Sequence, residues 1–293
     1  MSVSDSAPIR LTDDVALFRE ALTYTAAETG FIARLIEKDY FCTVLLQYLA
    51  ADRYALIFRG GTCLAKVYAG FYRMSEDLDF VIPTPPDASR AERRRRIAPS
   101  KEAVATLGEH LRALRVITAL TGANDSAQYN AVLGYTSLLS SEEETIKIEV
   151  GLREPLLRPP TRAEAHTLLL DPVSGSPLAP VLSIPCLSKE EAMAEKMRAA
   201  LSRRDVAIRD FYDIDHAVRR LTLRVLHPEF VALVRGKLTM PGNESVNVSA
   251  ARLAALRPQL EAQLRPVLRA RDFAEFDLER AFATVASVAA ALG

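Results

Sequence analysis

Two aspartates one residue apart, Asp77 and Asp79, close the run Arg73-Met74-Ser75-Glu76-Asp77-Leu78-Asp79-Phe80, and a Gly60-Gly61-Thr62 turn precedes them. The stretch from Ala55 to Ile82 reads as a short apolar strand (Ala55 to Phe58), the glycine turn, a helix, and a second strand carrying both carboxylates. Successive strand side chains point to opposite faces, so Leu78, Phe80 and Ile82 are expected on a core and Asp77, Asp79 and Val81 on the other face. Two neighbouring carboxylates repel each other and raise one pKa unless a cation sits with them. Mg²⁺ takes oxygen ligands, usually one or two carboxylates plus substrate phosphates. A glycine turn opening into a helix offers N–H groups and the positive end of a helix dipole to a phosphate. Either feature alone is often a solvated turn. Their order of strand, turn, helix and carboxylate strand points to nucleotidyl transfer.

That order resembles the polymerase-β-type nucleotidyltransferase superfamily. Within it, GGTxLxK followed by RxSEDLDF resembles the AbiEii/AbiGii toxin family, which includes the MenT-type toxins. The matching residues are Gly60, Gly61, Thr62, Leu64 and Lys66, then Arg73, Ser75, Glu76, Asp77, Leu78, Asp79 and Phe80. The resemblance implies an α/β (α+β), bilobal fold: a polymerase-β-like core with a mixed sheet, and an all-helical C-terminal lobe. It implies an NTP substrate and a two-ion Mg²⁺ site at Asp77, Asp79 and a third carboxylate from a neighbouring strand. Gly60, Gly61, Thr62, Ser75 and Lys196 would cradle the triphosphate, and Arg73 would neutralise phosphate charge. The implied acceptor is the 3′ end of tRNA, with growth arrest through blocked aminoacylation and an antitoxin encoded nearby.

The rest of the chain must position these groups. At 293 residues it exceeds the usual single-core size, which predicts a core and a second lobe. Hydrophobic residues make up 49% and charged residues 25%, with 37 basic and 37 acidic side chains in balance. A strongly basic protein would advertise nucleic-acid binding, so here any such surface must be a local patch. Cys42, Cys63 and Cys186 lie in apolar sequence without a CxxC or a histidine cluster, and read as buried free thiols of a reducing compartment. The N-terminus lacks a signal pattern and no apolar run approaches a membrane span, so the cytoplasm is expected and a membrane partner is not.

Taken in order, Thr12 with Asp13 and Asp14 is a helix N-cap signal for a helix to about Glu28, broken by Gly30. Phe31 to Ala50 reads as an amphipathic scaffold helix whose Glu37-Lys38-Asp39-Tyr40 segment also resembles the family; Lys38 and Asp39 are expected on a solvated patch. Ala88 to about Ala113 is a predicted helix with Arg90, Arg93, Arg94, Arg95 and Arg96 near its start. That run is either a solvated face or the tRNA backbone patch. Tyr129 to Leu139 and Thr145 to Val150 read as two strands; Ile146, Ile148 and Val150 face one way, Lys147 and Glu149 the other. Glu149 is the candidate third carboxylate, by the resemblance; an edge-strand pair with Lys147 is the plainer reading.

The expected division is a core at 1–155, a proline-rich crossover linker at 156–187, and a helical lobe at 188–293. Ser188-x-x-Glu191 is a capping box for the helix that follows. On that helix Lys196 falls on the apolar face with Ala192, Met193, Ala199 and Ala200, opposite Glu191, Glu195, Arg198 and Ser202. An unpaired buried ammonium is costly, so Lys196 either snorkels to water or reaches across the interlobe cleft to the triphosphate, as the family's AxK helix implies. In the next helix, Phe211, Ile214, Val218 and Leu221 form a stripe with Asp210 and Asp213 beside it. The R-D-x-x-D pattern resembles the family's last motif with Asp213 as its functional match, and periodicity leaves both aspartates open to pair with Lys196 or Arg73. The remaining helices carry Arg257, Arg265, Arg269 and Arg271, read as a solvated face. Rival functions are transfer to a protein hydroxyl or a small molecule, or a binding module without catalysis. A phosphate on Ser75 is expected to switch transfer off by occupying the place of the NTP phosphates.

Overall fold

The structure is a computed structural model, and it describes residues 13–50 and 54–293; Thr12 lies outside the described residues. Helix α1 (Val15–Thr29) is capped by Asp14, whose side chain accepts from Leu17 N, and ends at Gly30 in the left-handed conformation, φ 76°. Helix α2 (Ala33–Leu49) follows. A short strand β1 (Ile57–Arg59) leads into α3 (Gly60–Cys63), which continues as one π-helical turn, Leu64–Tyr68. Strand β2 (Leu78–Val81) carries Asp79, and α4 (Arg90–Ala105) and α5 (Leu107–His110) come next. Strands β3 (Arg115–Ala123), β4 (Gln128–Thr136), β5 (Glu143–Gly151), β6 (Thr161–Ala165) and β7 (Leu182–Cys186) complete a mixed seven-stranded sheet in the order β3-β4-β5-β2-β1-β7-β6. β2 runs parallel to β5 and β1 parallel to β7, while the other pairs are antiparallel.

Strand register follows the apolar alternation read in the sequence: Leu78, Phe80, Ile146, Ile148 and Val150 are all buried. Val81, expected with the aspartates on a solvent face, is buried too, so that face of β2 is covered at its C-terminal end while Asp79 stays half-buried. A chain of rings, Phe18 to Tyr40 (4.8 Å), Tyr40 to Phe41 (5.3 Å) and Phe41 to Tyr135 (4.0 Å), packs α1 and α2 onto β4. The stretch expected as a crossover linker supplies β6 and β7 instead; β7 joins the sheet through Phe58 opposite Cys186. The proline within these strands, Pro185, lies in β7, whose pairing with β1 is limited to Phe58 opposite Cys186, so its missing N–H costs no ladder bond there. Strand β3 also lay unread in the sequence: its exposure pattern shows no clean apolar alternation, as suits an edge strand with register shifts.

The chain divides into two compact units, one of residues 1–155 and 160–186, the other of 156–159 and 187–293. The second unit is helical: α6 (Lys189–Ser202), α7 (Ile208–Arg220), α8 (Pro228–Leu238), α9 (Ala250–Leu256), α10 (Ala270–Glu275) and α11 (Leu278–Leu292). Ser188 caps α6 by accepting from Glu191 N, but Glu191 does not close the capping box. It is fully buried and accepts from Leu157 N (2.9 Å) and Arg158 N (2.8 Å) while pairing with Lys237 at 2.7 Å. The polar face of α6 is therefore partly internal, with Glu191 and Ser202 both buried. The packed stripe of α7 is Phe211, Ile214 and Ala217; Val218 and Leu221 are half-exposed. Among the described residues no helix is long and apolar enough to cross a membrane.

Candidate active site

The glycine turn and the carboxylate strand are adjacent by register: Arg59 lies opposite Asp79 where β1 pairs with β2. Gly60 adopts φ +77°, a left-handed value that glycine takes without steric cost. Any side chain here would also collide with the Asp79 carboxylate. Gly61 is constrained from the other side, where a β-carbon would stand 2.5 Å from Arg73 Nη2 and 2.9 Å from Ser75 Oγ. The turn thus gathers Asp79, Arg73 and Ser75 around two glycines. Ser75 arrives there from the loop ahead of β2, since the strand does not extend back to it.

Asp77 also precedes β2 and is exposed, while Asp79 is half-buried. The Thr62 hydroxyl, expected at the triphosphate, is turned inward and donates to the Asp77 carbonyl. It braces the turn against the carboxylate loop. Arg73 is buried, donates to Met74 O at 3.0 Å and lies 5.6 Å from the Tyr72 ring. Its cation is thus built into the floor of the turn.

Glu149 on β5 is the register neighbour of Asp79. Adjacent strands stand about 4.8 Å apart, so the two carboxylates share one part of the sheet surface. Lys147 pairs with Glu149 at 3.3 Å, on a strand flanked on both sides rather than at an edge. Among the described residues no group of three or more histidine, cysteine, aspartate or glutamate side chains is placed to hold a metal ion. The expected trio is therefore not closed around one point. Asp77 stands on the loop, and Glu149 leans to Lys147. Asp79 and Glu149 still fit a hard divalent cation, because Mg²⁺ needs only one or two carboxylates when phosphate oxygens supply further ligands.

Behind the turn lie buried ion pairs that the sequence reading placed in solvent. Lys38 pairs with Glu76, next to Asp77, at 2.9 Å. Asp39 pairs with Lys66 at 2.6 Å and accepts from Leu168 N at 3.1 Å; Lys66 also donates to Thr43 Oγ1 at 2.7 Å. Helix α2 is buried on nearly every side, so its charged side chains need a counter-charge or hydrogen-bond donors to meet them. Arg59, just before Gly60, pairs with Glu154 at 3.5 Å. The signal for these pairs was in the motifs, since Lys66 and the Glu37–Tyr40 segment were both among the resembling residues. Glu37 itself accepts from Ser137 Oγ and Leu138 N, both at 2.7 Å, and burial pushes its carboxyl above the usual range against those bonds. Cys42, Cys63 and Cys186 are free, buried thiols.

In the second unit Lys196 bridges two aspartates, with Nζ 2.9 Å from Asp210 Oδ1 and 2.9 Å from Asp213 Oδ2. Neither single aspartate is the partner; both are. Arg203 stands 3.6 Å from Asp210 as well. Among the other arginines, Arg257 pairs with Glu279 and Arg265 with Glu261 in the open, as solvated charges do, whereas the Arg269–Asp272 pair is largely covered.

Residues 44–288 match the family described as Nucleotidyl transferase AbiEii toxin, Type IV TA system. The chain belongs to that family. The AbiEii chain is thus a nucleotidyltransferase of a toxin–antitoxin system, with an NTP substrate and an antitoxin as partner. A comparison with curated proteins finds no match. Among solved structures the AbiEii chain is similar in fold to JHP933 from Helicobacter pylori, with a TM-score of 0.53 and 13% identity over 89% of this chain and 93% of that one. A second H. pylori structure, of a protein assigned as a nucleotidyltransferase, gives a TM-score of 0.48 and 14% identity over 88% and 94%.

Proposed function

We propose that this AbiEii chain acts in the cytoplasm, transferring a nucleoside monophosphate from an NTP to the 3′-terminal hydroxyl of tRNA. The hydroxyl oxygen bonds to the α-phosphorus as its proton passes to solvent, the bond from that phosphorus to the bridging β-oxygen breaks, and pyrophosphate leaves with that oxygen. The observation that carries this reading is the juxtaposition of Asp79 with the Gly60–Gly61 turn, where Arg73 and Ser75 converge. Asp79 and Glu149 are assigned to hold Mg²⁺, which when bound would neutralise charge on the triphosphate, and Asp77, on the adjoining loop, is assigned to join them when metal and phosphates are present. Gly60 and Gly61 let the phosphates approach the backbone, Ser75 donates to them, and the buried Arg73 supplies positive potential below the turn. Thr62 acts on the turn's shape instead of on phosphate. Lys196 and Asp213 are assigned to the same reaction on the family's motifs, with Asp210 sharing the lysine. The work is positioning and charge stabilisation rather than covalent catalysis.

A modified tRNA end could not be aminoacylated, which accounts for growth arrest by a toxin, and the antitoxin would relieve it. The test is incubation with each α-labelled NTP and Mg²⁺ against separate pools of tRNA, protein and small molecules. Label in the tRNA band supports the proposal; label confined to protein or small molecules replaces the acceptor.

A further inference from the structure

The arginine run at the start of α4 separates into two populations. Arg93 donates to Leu152 O (3.2 Å) and Pro86 O (3.0 Å), and Arg96 donates to Pro83 O (2.9 Å) and pairs with Glu92, so both are committed to holding the helix in place. Arg90, Arg94 and Lys101 are exposed, and among the described residues none of them makes an ion pair or a side-chain hydrogen bond. At 100° per residue these three fall within a narrow sector of α4. Together with Gly122, Ser126 and Tyr129 from the β3–β4 hairpin they line a cavity of about 580 Å³, and no carboxylate lines it. Gly122 keeps the hollow open, because a β-carbon there would stand 3.0 Å from the Tyr129 ring.

Eleven residues separate Arg90 from Lys101, which is about 16 Å of helix. Three like charges strung along a concave surface without a counter-charge repel one another, and a string of phosphates would relieve that repulsion. The chain has no net charge, so this attraction is local to the groove. We infer that the α4–hairpin groove binds the sugar–phosphate backbone of a single RNA strand. This rests on the reading that the acceptor is RNA, and it replaces the five-arginine patch with Arg90, Arg94 and Lys101. Tyr129 is buried and closes the wall of the groove without offering a stacking face, so the affinity rests on the phosphates and should tolerate any base sequence.

The test is equilibrium binding of the full chain to a fluorescent single-stranded RNA of about twelve nucleotides, without NTP or divalent metal, over a series of salt concentrations. Arg90→Gln, Arg94→Gln and Lys101→Gln should each weaken binding severalfold and reduce the log–log salt slope by about 0.7, and the triple variant by about 2. Arg95→Gln, turned about 100° away on the same helix, is the reference and should change little. Unaltered melting temperatures show that the loss is one of charge and not of folding. In transfer assays the triple variant should raise the KM for the RNA acceptor, read at saturating NTP, and leave the KM for NTP, read at saturating RNA, unchanged. If the acceptor reading fails, the wild type labels no RNA, yet the three substitutions still weaken RNA binding. An RNA affinity and salt slope unchanged in all three variants, or no RNA binding by the wild type, overturns the groove and leaves this face to an acidic protein partner.

Discussion

The carboxylate of Asp79 lies directly over Gly60, with Oδ2 only 2.2 Å from where a β-carbon of residue 60 would stand. Gly60 also sits at φ +77°, a conformation costing an L-residue about 1–2 kcal/mol. Gly60→Ala should therefore displace Asp79 or the turn and abolish transfer, with a stability loss of at least that size. Transfer assays and urea denaturation check both. A fully active Gly60→Ala protein would show that Asp79 need not stay where it is.

Asp79→Asn and Asp77→Ala should each lower transfer by more than about 100-fold, which is beyond the loss from an outer-shell partner of a metal. The fold should persist, because Asp77 is exposed and Asp79 half-buried. Circular dichroism with a labelled-NTP assay separates the two effects. Near-wild-type transfer in either variant would remove that residue from the metal site.

Lys196→Ala is expected to cost stability as well as transfer. The sequence alone suggested relief of a lysine on an apolar face, but its removal takes an ion pair from both Asp210 and Asp213, whose side chains are 5% and 0% exposed, and leaves Asp210 the longer contact to Arg203 at 3.6 Å. Leaving buried charge uncompensated typically costs about 3–5 kcal/mol. Lys196→Ala with Asp213→Asn should recover part of that loss in denaturant titrations while transfer stays low. Wild-type stability of the single variant would contradict the ion-pair account.

Ser75→Glu should exclude NTP, because the longer acid is forced into the space above Gly61 that the hydroxyl now borders at 2.9 Å from the β-carbon position. Ser75→Ala loses at most one hydrogen bond, about 0.5–1.5 kcal/mol in NTP affinity. Calorimetric NTP titration of both variants and of a Ser75-phosphorylated sample decides it. Unchanged affinity in the phosphorylated form would place Ser75 outside the phosphate site.

His216 gives a pH signature for the second unit. Burial pulls its imidazole down to about 4 from an ordinary value near 6.5. The unfolded chain then binds the proton more readily than the folded one between those values, so stability is full above about pH 6.5 and falls as pH drops toward 4. His216→Gln should flatten that acid limb in melting curves taken from pH 7 to 4. An unchanged limb would mean that His216 is not the group being titrated.

The sequence by itself determined the parts of this protein that local chain geometry controls. A strand, two glycines, a helix and an alternating Leu78-Asp79-Phe80 strand can be read from period and turn chemistry alone, and so can the β4–β5 hairpin that carries Glu149, whereas its seat beside Asp79 is a long-range pairing of β5 with β2. Tertiary structure decided whatever depended on partners distant in the chain. Lys38 and Asp39 look like a solvated charge patch until Glu76 and Lys66 are folded against them. Glu191 looks like a capping-box residue until Lys237 and the Leu157–Arg158 backbone arrive. Of five neighbouring arginines, only packing selects Arg93 and Arg96 for the backbone and leaves Arg90 and Arg94 facing outward. Hydrophobic periodicity reports which side of an element is covered, because burial of apolar area is short-ranged and additive. A charge can lie on either side, and the counter-charge that settles the matter is supplied from elsewhere in the chain.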